Sequence, residues 1–395
     1  MYSILLVIIY ISFISLGLPD ALLGSAWPSM FQTLNVPVSY AGIISMIISG
    51  GTIVSTLFSG KSIHKLGTGK LTTISVGMTA IALFGFSIST SFWHLCLWGI
   101  PYGLGAGSVD AALNNFVALH YKARHMNWLH CFWGVGATLG PYIMGILLTN
   151  GFKWNSGYFT ISLIQIVLTS VLFFTLPLWN EKKTGNKTKE EEEYKNYSLK
   201  EVITLPGAMS IMIAFFSYCA LEATTGLWAA SYLVLNRGIA AEIAAKWAAS
   251  FYFGITIGRF ISGFITFKMN NKNMIRLGQG IIILGLLLLI LPFSNYTAFI
   301  GLILIGLGCA PIYPSLIHST PSNFGKDVSH SIIGVQMASA YLGITLMPPL
   351  FGFLQEHFDI RLYPIYLTIL AFLMIAMVEK ANGIFVRKPV INSNP

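Results

Sequence analysis

Charge is what this chain has least of. Lys, Arg, Asp and Glu make up 9% of its 395 residues, against roughly 25% in a soluble domain. That excludes a surface made for water. Cysteine is confined to Cys96, Cys131, Cys219 and Cys309, each inside an apolar run and none in a Cys-x-x-Cys pair. A disulfide framework and a zinc site are thereby excluded, and the four thiols read as small buried apolar side chains. The N-terminus lacks a basic region, since the first Lys is Lys61, and its apolar run is too long for a leader and contains Asp20. It reads as a retained membrane span. Catalytic signatures are missing as well: there is no Gly-x-Ser-x-Gly, no His-Glu-x-x-His and no phosphate-binding loop. Two aspartates in apolar surroundings would suit an intramembrane aspartyl protease. Asp20, however, follows Pro19, and Asp110 follows Gly107-Ser108-Val109, so the Tyr-Asp and Gly-x-Gly-Asp signatures both fail. The chain is expected to be no enzyme and to carry no cofactor or metal.

What is present is length of apolar run. Stretches of the ~20 residues needed to cross ~30 Å of hydrocarbon recur along the whole chain. Twelve spans are expected: Ile4–Phe31, Ala41–Phe58, Leu71–Ile88, Leu95–Leu119, Leu129–Leu148 and Tyr158–Leu176, then Met209–Leu233, Ala244–Phe267, Ile275–Leu291, Ala298–Ile317, Ser331–Phe353 and Tyr363–Met377. Run length and the lack of alternation exclude a barrel. The fold class is therefore an all-α membrane protein, with twelve transmembrane helices in two six-helix pseudo-symmetric bundles. The N-terminal bundle takes residues 1–178, a charged linker 179–205, the C-terminal bundle 206–380 and a tail 381–395. Within the linker, Glu181 to Glu201 is Lys- and Glu-rich, includes Glu190 to Glu193 and has no apolar face, as a solvated connector should.

The net charge of +9 does not point to nucleic acid, because the basic residues form no continuous face. They sort by loop instead. With a cytoplasmic N-terminus, the inside connectors hold Lys61, Lys65, Lys70, Lys122, Arg124, Lys182, Lys183, Lys187, Lys189, Lys195, Lys200, Lys268, Lys272, Arg276, Lys326, Lys380, Arg387 and Lys388, which is 18 of the 23. The outside connectors hold Lys153, Arg237, Lys246 and Arg361, and Arg259 alone sits within a span. This bias places both termini in the cytoplasm. Short loops suit a bacterial inner membrane. The expected partners are the lipid bilayer and a small molecule, with the chain acting as a monomer.

The halves resemble each other. Gly51, Ser59-Gly60 and Gly103-Leu104-Gly105 recur 203 positions later as Gly254, Ser262-Gly263 and Gly306-Leu307-Gly308. Asp20-Ala21, Gly24 and Trp27 recur as Glu222-Ala223, Gly226 and Trp228, shifted by 201 to 202. Gly136, Pro141 and Gly145 recur as Gly343, Pro348 and Gly352, shifted by 207. Four helices matched in order indicate duplication, which puts a transported substrate near the midplane between the halves.

Three of the 14 acids lie inside spans: Asp20 in the first, Asp110 in the fourth and Glu222 in the seventh, at the repeat position of Asp20. A carboxylate in hydrocarbon is costly unless paired or wetted, so it faces a cavity. Desolvation favours the protonated acid, so such a group can load a proton on one side and release it on the other. Asp20 is read as the main proton carrier, Asp110 as the acid that binds substrate and senses its protonation, and Glu222 as a weaker partner. The coupling ion is H+, with Na+ as the alternative. On span 4, Gly103, Gly107, Asp110 and Asn114 share a face, with Asn115 adjacent. Gly17, Asp20, Gly24 and Trp27 on span 1 and Tyr218, Glu222 and Gly226 on span 7 do the same. Acids and amides bond hydroxyls, and indoles cover C–H faces, which suits a neutral polyol. Trp27, Trp133, Trp228, Tyr313, Gln336 and Tyr341 complete the candidate lining, with Gln165 and Gln279 as further candidates. Pro311 and Pro314 bracket Tyr313 and should bend span 10. His130, at the start of span 5, reads as a hydrogen-bonder before a proton relay.

The connector after span 2, Gly60-Lys61-Ser62-Ile63-His64-Lys65-Leu66-Gly67, resembles the Gly-x-x-x-Asp-Arg/Lys-x-Gly signature of the major facilitator superfamily, with His64 in place of its Asp. Together with the 6+6 repeat and the charged central linker, this resemblance implies that superfamily's fold over nearly the whole chain. Asp110-Ala111-Ala112-Leu113-Asn114 is similar to the acid-x-Ala-x-Asn segment of the fucose permease group of sugar/proton symporters, and Asp20 matches that group's first-span acid. The resemblance implies proton coupling and sugar binding at these two acids; Asp110 is shorter than that group's Glu. Gly136-x-x-x-Gly140-Pro141 resembles part of a drug/proton antiporter motif. The function expected is proton-coupled symport of a sugar or related neutral polyol by alternating access. The alternatives are a proton-coupled efflux antiporter and a membrane sugar sensor that does not transport.

Overall fold

The computed structural model describes residues 2–121, 123–180, 199–265 and 268–387, and among these every regular element is a helix. The first half contains α1 (Tyr2–Asp20), α2 (Leu22–Leu34), α3 (Tyr40–Leu66), α4 (Thr68–Ser87), α5 (Phe92–His120), α6 (Ala123–Thr149), α7 (Trp154–Phe174) and the short α8 (Pro177–Asn180). The second contains the short α9 (Leu199–Thr204), then α10 (Ala208–Leu235), α11 (Ala241–Ile265), α12 (Asn271–Ile290), α13 (Asn295–Cys309), α14 (Ile312–Phe324), α15 (Lys326–His357) and α16 (Tyr363–Arg387). Residues 181–198 of the expected linker lie outside the described residues. Joined as α1–α2 and α13–α14, eleven of the spans are long and apolar enough to cross a membrane. The twelfth is α5, whose 29 residues suffice in length. Its glycines, Asp110, Asn114 and Asn115 lower its mean hydropathy.

Two spans are broken, and proline accounts for both. Pro19 has no N–H to give the Ser15 carbonyl. Gln165 on α7 supplies the missing donor: its Nε2 donates to that carbonyl at 2.6 Å, and Ser15 Oγ donates to Gln165 Oε1 at 3.0 Å. The helix then yields at Ala21, directly after Asp20. In the second half Leu221 stands at the repeat position of Pro19, and α10 runs unbroken through Glu222. Span 10 breaks at Ala310–Pro311, where the proline pair predicts a bend. One expectation is corrected. The connector Gly60–Gly67 is a continuation of α3 up to Leu66, not a loop. Only Gly67 leaves the helix, at φ 78°, a conformation open to glycine. His64 and Lys65 thus occupy the last turn, where the helix dipole favours the Lys65 cation.

The two halves are built from the same pairings. In the first, α1 packs on α6, α3 and α4 on α5, and α4 on α7. In the second, α10 packs on α15, and α11 and α12 on α13; the last helix departs from the pattern, α16 lying chiefly on α10 where α7 lies chiefly on α4. Glycine sets these approaches. A methyl group on Gly103 would strike the carbonyl of Ile48, and one on Gly306 would strike the carbonyl of Phe251, which is Ile48 shifted by 203. A methyl on Gly136 would strike the carbonyl of Ile14; on Gly343 it would lie 2.5 Å from that of Phe216. Small residues let helix backbones touch where no hydrophobic effect drives association.

Between the halves, α6 packs on α11, α3 on α15 and α2 on α10. The near-contacts at the end away from the linker obey the same symmetry. Gly145 sits 2.9 Å, measured from an added Cβ, from the Glu242 carbonyl, and Gly352 sits 3.1 Å from that of Ser39, which is Glu242 shifted by 203. Gly24 meets the carbonyl of its own repeat partner, Gly226. Around the outside, Ile81, Val167, Phe264 and Ile369 are exposed, where a soluble protein would carry charge.

Gly103→Ala and Gly306→Ala are expected to destabilise the protein by similar amounts, about 1–3 kcal/mol for overpacking, read as lower Tm in detergent. Gly280→Ala on α12 meets nothing within 4 Å and should leave Tm unchanged or raise it.

Candidate functional site

The break after Asp20 turns its carboxylate into the seam between the halves, and the side chain is exposed there although it lies deep in the chain's first span. Two donors hold it. Tyr102 on α5 donates from its hydroxyl to Oδ1 at 2.9 Å, and Trp133 on α6 donates from Nε1 to Oδ2 at 2.8 Å. Both donors belong to the first half, so this half fixes the carboxylate's position by itself. Asp110, half-buried on α5, accepts from Asn114 Nδ2 at 2.9 Å, one turn along the same helix. Asp20 and Asp110 lie close enough to interact electrostatically. Tyr313 and Tyr341, both half-buried, lie within reach of the Asp110 charge. Glu222, also half-buried, has no hydrogen-bond donor among the described residues, and it shares Tyr252 with Asp20 as an electrostatic neighbour.

The second half contributes a group to which the sequence analysis assigned no role. Arg259 on α11 places its guanidinium carbon 5.2 Å from the centre of the Trp133 ring and donates to the His130 carbonyl at 3.2 Å. The Trp133 indole therefore touches a carboxylate through its N–H and a cation through its face, and Tyr252 meets its edge at 6.3 Å. The signal for Arg259 was available, since it is the one Lys or Arg inside a span. Tyr102 and Tyr252 carried no comparable mark among 17 tyrosines.

The structure does not bring every expected residue to the seam. Trp27 and Trp228 are both 0% exposed. Each spends its indole N–H on a backbone carbonyl, Val38 for Trp27 at 2.7 Å and Pro348 for Trp228 at 2.9 Å. They are repeat-related pins, Trp27 holding the α2–α3 connection and Trp228 the interior of α15, not faces for a ligand. Gln336 is fully buried and accepts from Thr320 Oγ1 at 3.1 Å. Gln165 is buried in its bond to the Ser15 carbonyl, and Gln279 is buried in α12. Asn115 is exposed beside Asn114, and Tyr313 donates to Met337 Sδ at 3.2 Å. Gly136 and Gly140 press on the carbonyls of Ile14 and Leu18, so packing accounts for the antiporter-like segment. His130 offers its carbonyl to Arg259 and its ring to Phe13, 5.9 Å away. A separate hollow of about 660 Å³, lined by Thr33, Ser87, Lys153 and Asn155 at the end away from the linker, contains none of the three acids.

Two packed six-helix halves meeting along a seam that holds acids, an arginine and aromatic rings define a membrane transporter. The chain belongs to the Major Facilitator Superfamily, which matches residues 9–348 and, a second time, 247–389. It is accordingly a multi-pass membrane transporter and not an enzyme. It is similar to the glucose/mannose transporter GlcP of Bacillus subtilis, 21% identical over 98% of this chain and 96% of that one. It is also similar to the bypass of stop codon protein 6 of Saccharomyces cerevisiae, 22% identical over 93% of this chain and 79% of that one. Among solved structures it superposes on the nucleoside transporter NupG with a TM-score of 0.73, at 16% identity, covering 94% of this chain and 98% of that one.

Trp27→Phe and Trp228→Phe should lower Tm, at a cost of about 1–3 kcal/mol for Trp228, whose bond to the Pro348 carbonyl is buried, and of less for Trp27, whose Val38 carbonyl is part-buried and also accepts from the Ala41 N–H. Substrate affinity of the folded variants should match wild type in a transport assay; a large rise in KM would return these rings to the site.

Proposed function

We propose that the protein is a proton-coupled symporter that imports a sugar or related polyol by alternating access, as a monomer with both termini in the cytoplasm of a bacterium. The observation that carries the reading is the Asp20 carboxylate, exposed in the seam and held there by Tyr102 and Trp133. A carboxyl group removed from bulk water yet reachable from a cavity is suited to take up and release a proton in each cycle. Asp110 and Asn114, with Tyr313 and Tyr341 near, offer acceptors and donors for hydroxyl groups. A relative named for glucose and mannose transport supports the sugar. The N-terminal and C-terminal bundles, residues 1–178 and 206–380, would rock about this site, with Glu222 a lesser partner from the second half.

The test is reconstitution into liposomes containing a pH dye, with a mixed pool of sugars, alditols and sugar acids added outside and no initial pH gradient. Internal acidification that depends on substrate is expected. Asp110→Asn should abolish proton-driven accumulation, by at least about tenfold, while leaving exchange of substrate across the membrane. Accumulation equal to wild type would remove Asp110 from the coupling route. Uptake that requires Na+ and moves no protons would replace the coupling ion. Proton release from acid-loaded vesicles on adding a cationic drug, with no sugar response, would make the protein an efflux antiporter. Sugar binding without flux would make it a sensor.

A further inference from the structure

The proton route leaves one charge in the seam unused. Arg259 stands six positions before Ile265, the last residue of α11, which places it ~9 Å along the helix axis from that end. Arginine keeps its charge under all conditions a protein meets, so the membrane interior holds a permanent cation here. Its guanidinium carries five N–H donors. One is spent on the His130 carbonyl, and the Trp133 ring covers it from one side. Among the described residues no carboxylate lies within 4 Å of it; the ion pairs there are Arg276 with Glu379 and Arg361 with Asp359.

Two ordinary explanations fail. A snorkelling arginine turns its head toward the membrane surface, but this one turns toward Trp133, whose own N–H is bonded to Asp20 inside the seam. A permanent counter-ion would sit in contact with its acid, and neither Asp20 nor Glu222 is in contact. We infer that Arg259 is an anion anchor and that the transported polyol carries a carboxylate, making the substrate class a polyhydroxy acid. The inference rests on the proposal that this seam is the polyol and proton site.

The chemistry is consistent at each atom. A guanidinium covered on one face by an indole keeps in-plane N–H groups for a bidentate carboxylate. The hydroxyl-bearing part of the same molecule falls to Asp110 and Asn114 of the first half, with Tyr313 within reach of the charges of both Asp110 and Arg259. Charge balance favours this partner as well. When the seam acids are protonated, Arg259 remains as a single positive charge. A substrate carboxylate neutralises it, and a loaded complex without net charge is the one that hydrocarbon tolerates best. A neutral sugar would leave the cation uncompensated at the moment of closure.

The experiment compares two matched pools in proteoliposomes loaded with pH dye: C5–C7 aldonic and uronic acids, and the aldoses and alditols from which they derive. The acid pool is expected to drive internal acidification and the neutral pool to give none. Arg259→Gln, checked for a monodisperse profile and wild-type Tm, should lose roughly 10²-fold in uptake of the acids. Arg259→Lys keeps the charge without the fork and should raise KM for the acids with little change in maximal rate. Transport of the neutral pool but not the acids by wild type overturns the inference and leaves the symport proposal standing. Acid uptake by Arg259→Gln at the wild-type rate also overturns it. Proton movement with neither pool removes the symport proposal itself. Should Arg259→Gln fail to fold, the KM shift in Arg259→Lys decides.

Discussion

Hydrocarbon offers no hydrogen bond, and nearly every local choice in this protein follows from that constraint. A backbone carbonyl released by proline must find a donor within the protein, so Gln165 is committed to Ser15 and is not free for a ligand. The indoles of Trp27 and Trp228 are committed to carbonyls in the same way. Charges that remain can survive only where helices part. The seam therefore collects Asp20, Asp110, Glu222 and Arg259, while the lipid-facing surface carries apolar side chains. Site and scaffold are thus two solutions to one solvation problem: polar groups are either paired inside a half or gathered between halves.

The near-symmetry of the halves makes the departures from it informative. Both halves use glycine against carbonyl at corresponding positions, and their helix pairings match except for the last helix of each. The difference lies at residue 19. Pro19 breaks the first span beside Asp20, whereas Leu221 leaves α10 straight through Glu222. Two acids at equivalent positions consequently occupy unlike settings. One is exposed and bonded to two donors from its own half; the other is half-buried and bonded to none among the described residues. Duplication supplies two copies of a position, and one proline makes them unequal.

The architecture was legible because membrane thickness imposes run length, and because repeat spacing survives in glycines such as Gly103 and Gly306 that cannot be enlarged. Asp20, Asp110 and Glu222 were legible for a related reason, acids being rare where water is absent. Element ends were less so: α3 runs on through Leu66 because nothing before Gly67 stops it. The lining was the least legible part. Tryptophan and glutamine serve equally as ligand contacts and as internal donors, and only the position of a carbonyl decides between them. Trp133 faces Asp20, while Trp27, an equally plausible candidate on the sequence, faces Val38. Arg259 was visible as an anomaly, but its meaning required seeing which ring it lies over.

The repeat-related contacts between the halves, Gly145 on the Glu242 carbonyl and Gly352 on the Ser39 carbonyl, have an ancestral consequence. A surface that is complementary to its own rotated copy is what a closed two-subunit assembly requires. Before fusion, a single-half polypeptide would have needed no new interface to pair with itself; the contact that now joins two ends of one chain would have joined two identical chains. In such an ancestor any change in this surface would have struck both sides at once. Fusion released each side to vary alone, and only then could a proline in one half and a leucine in the other coexist.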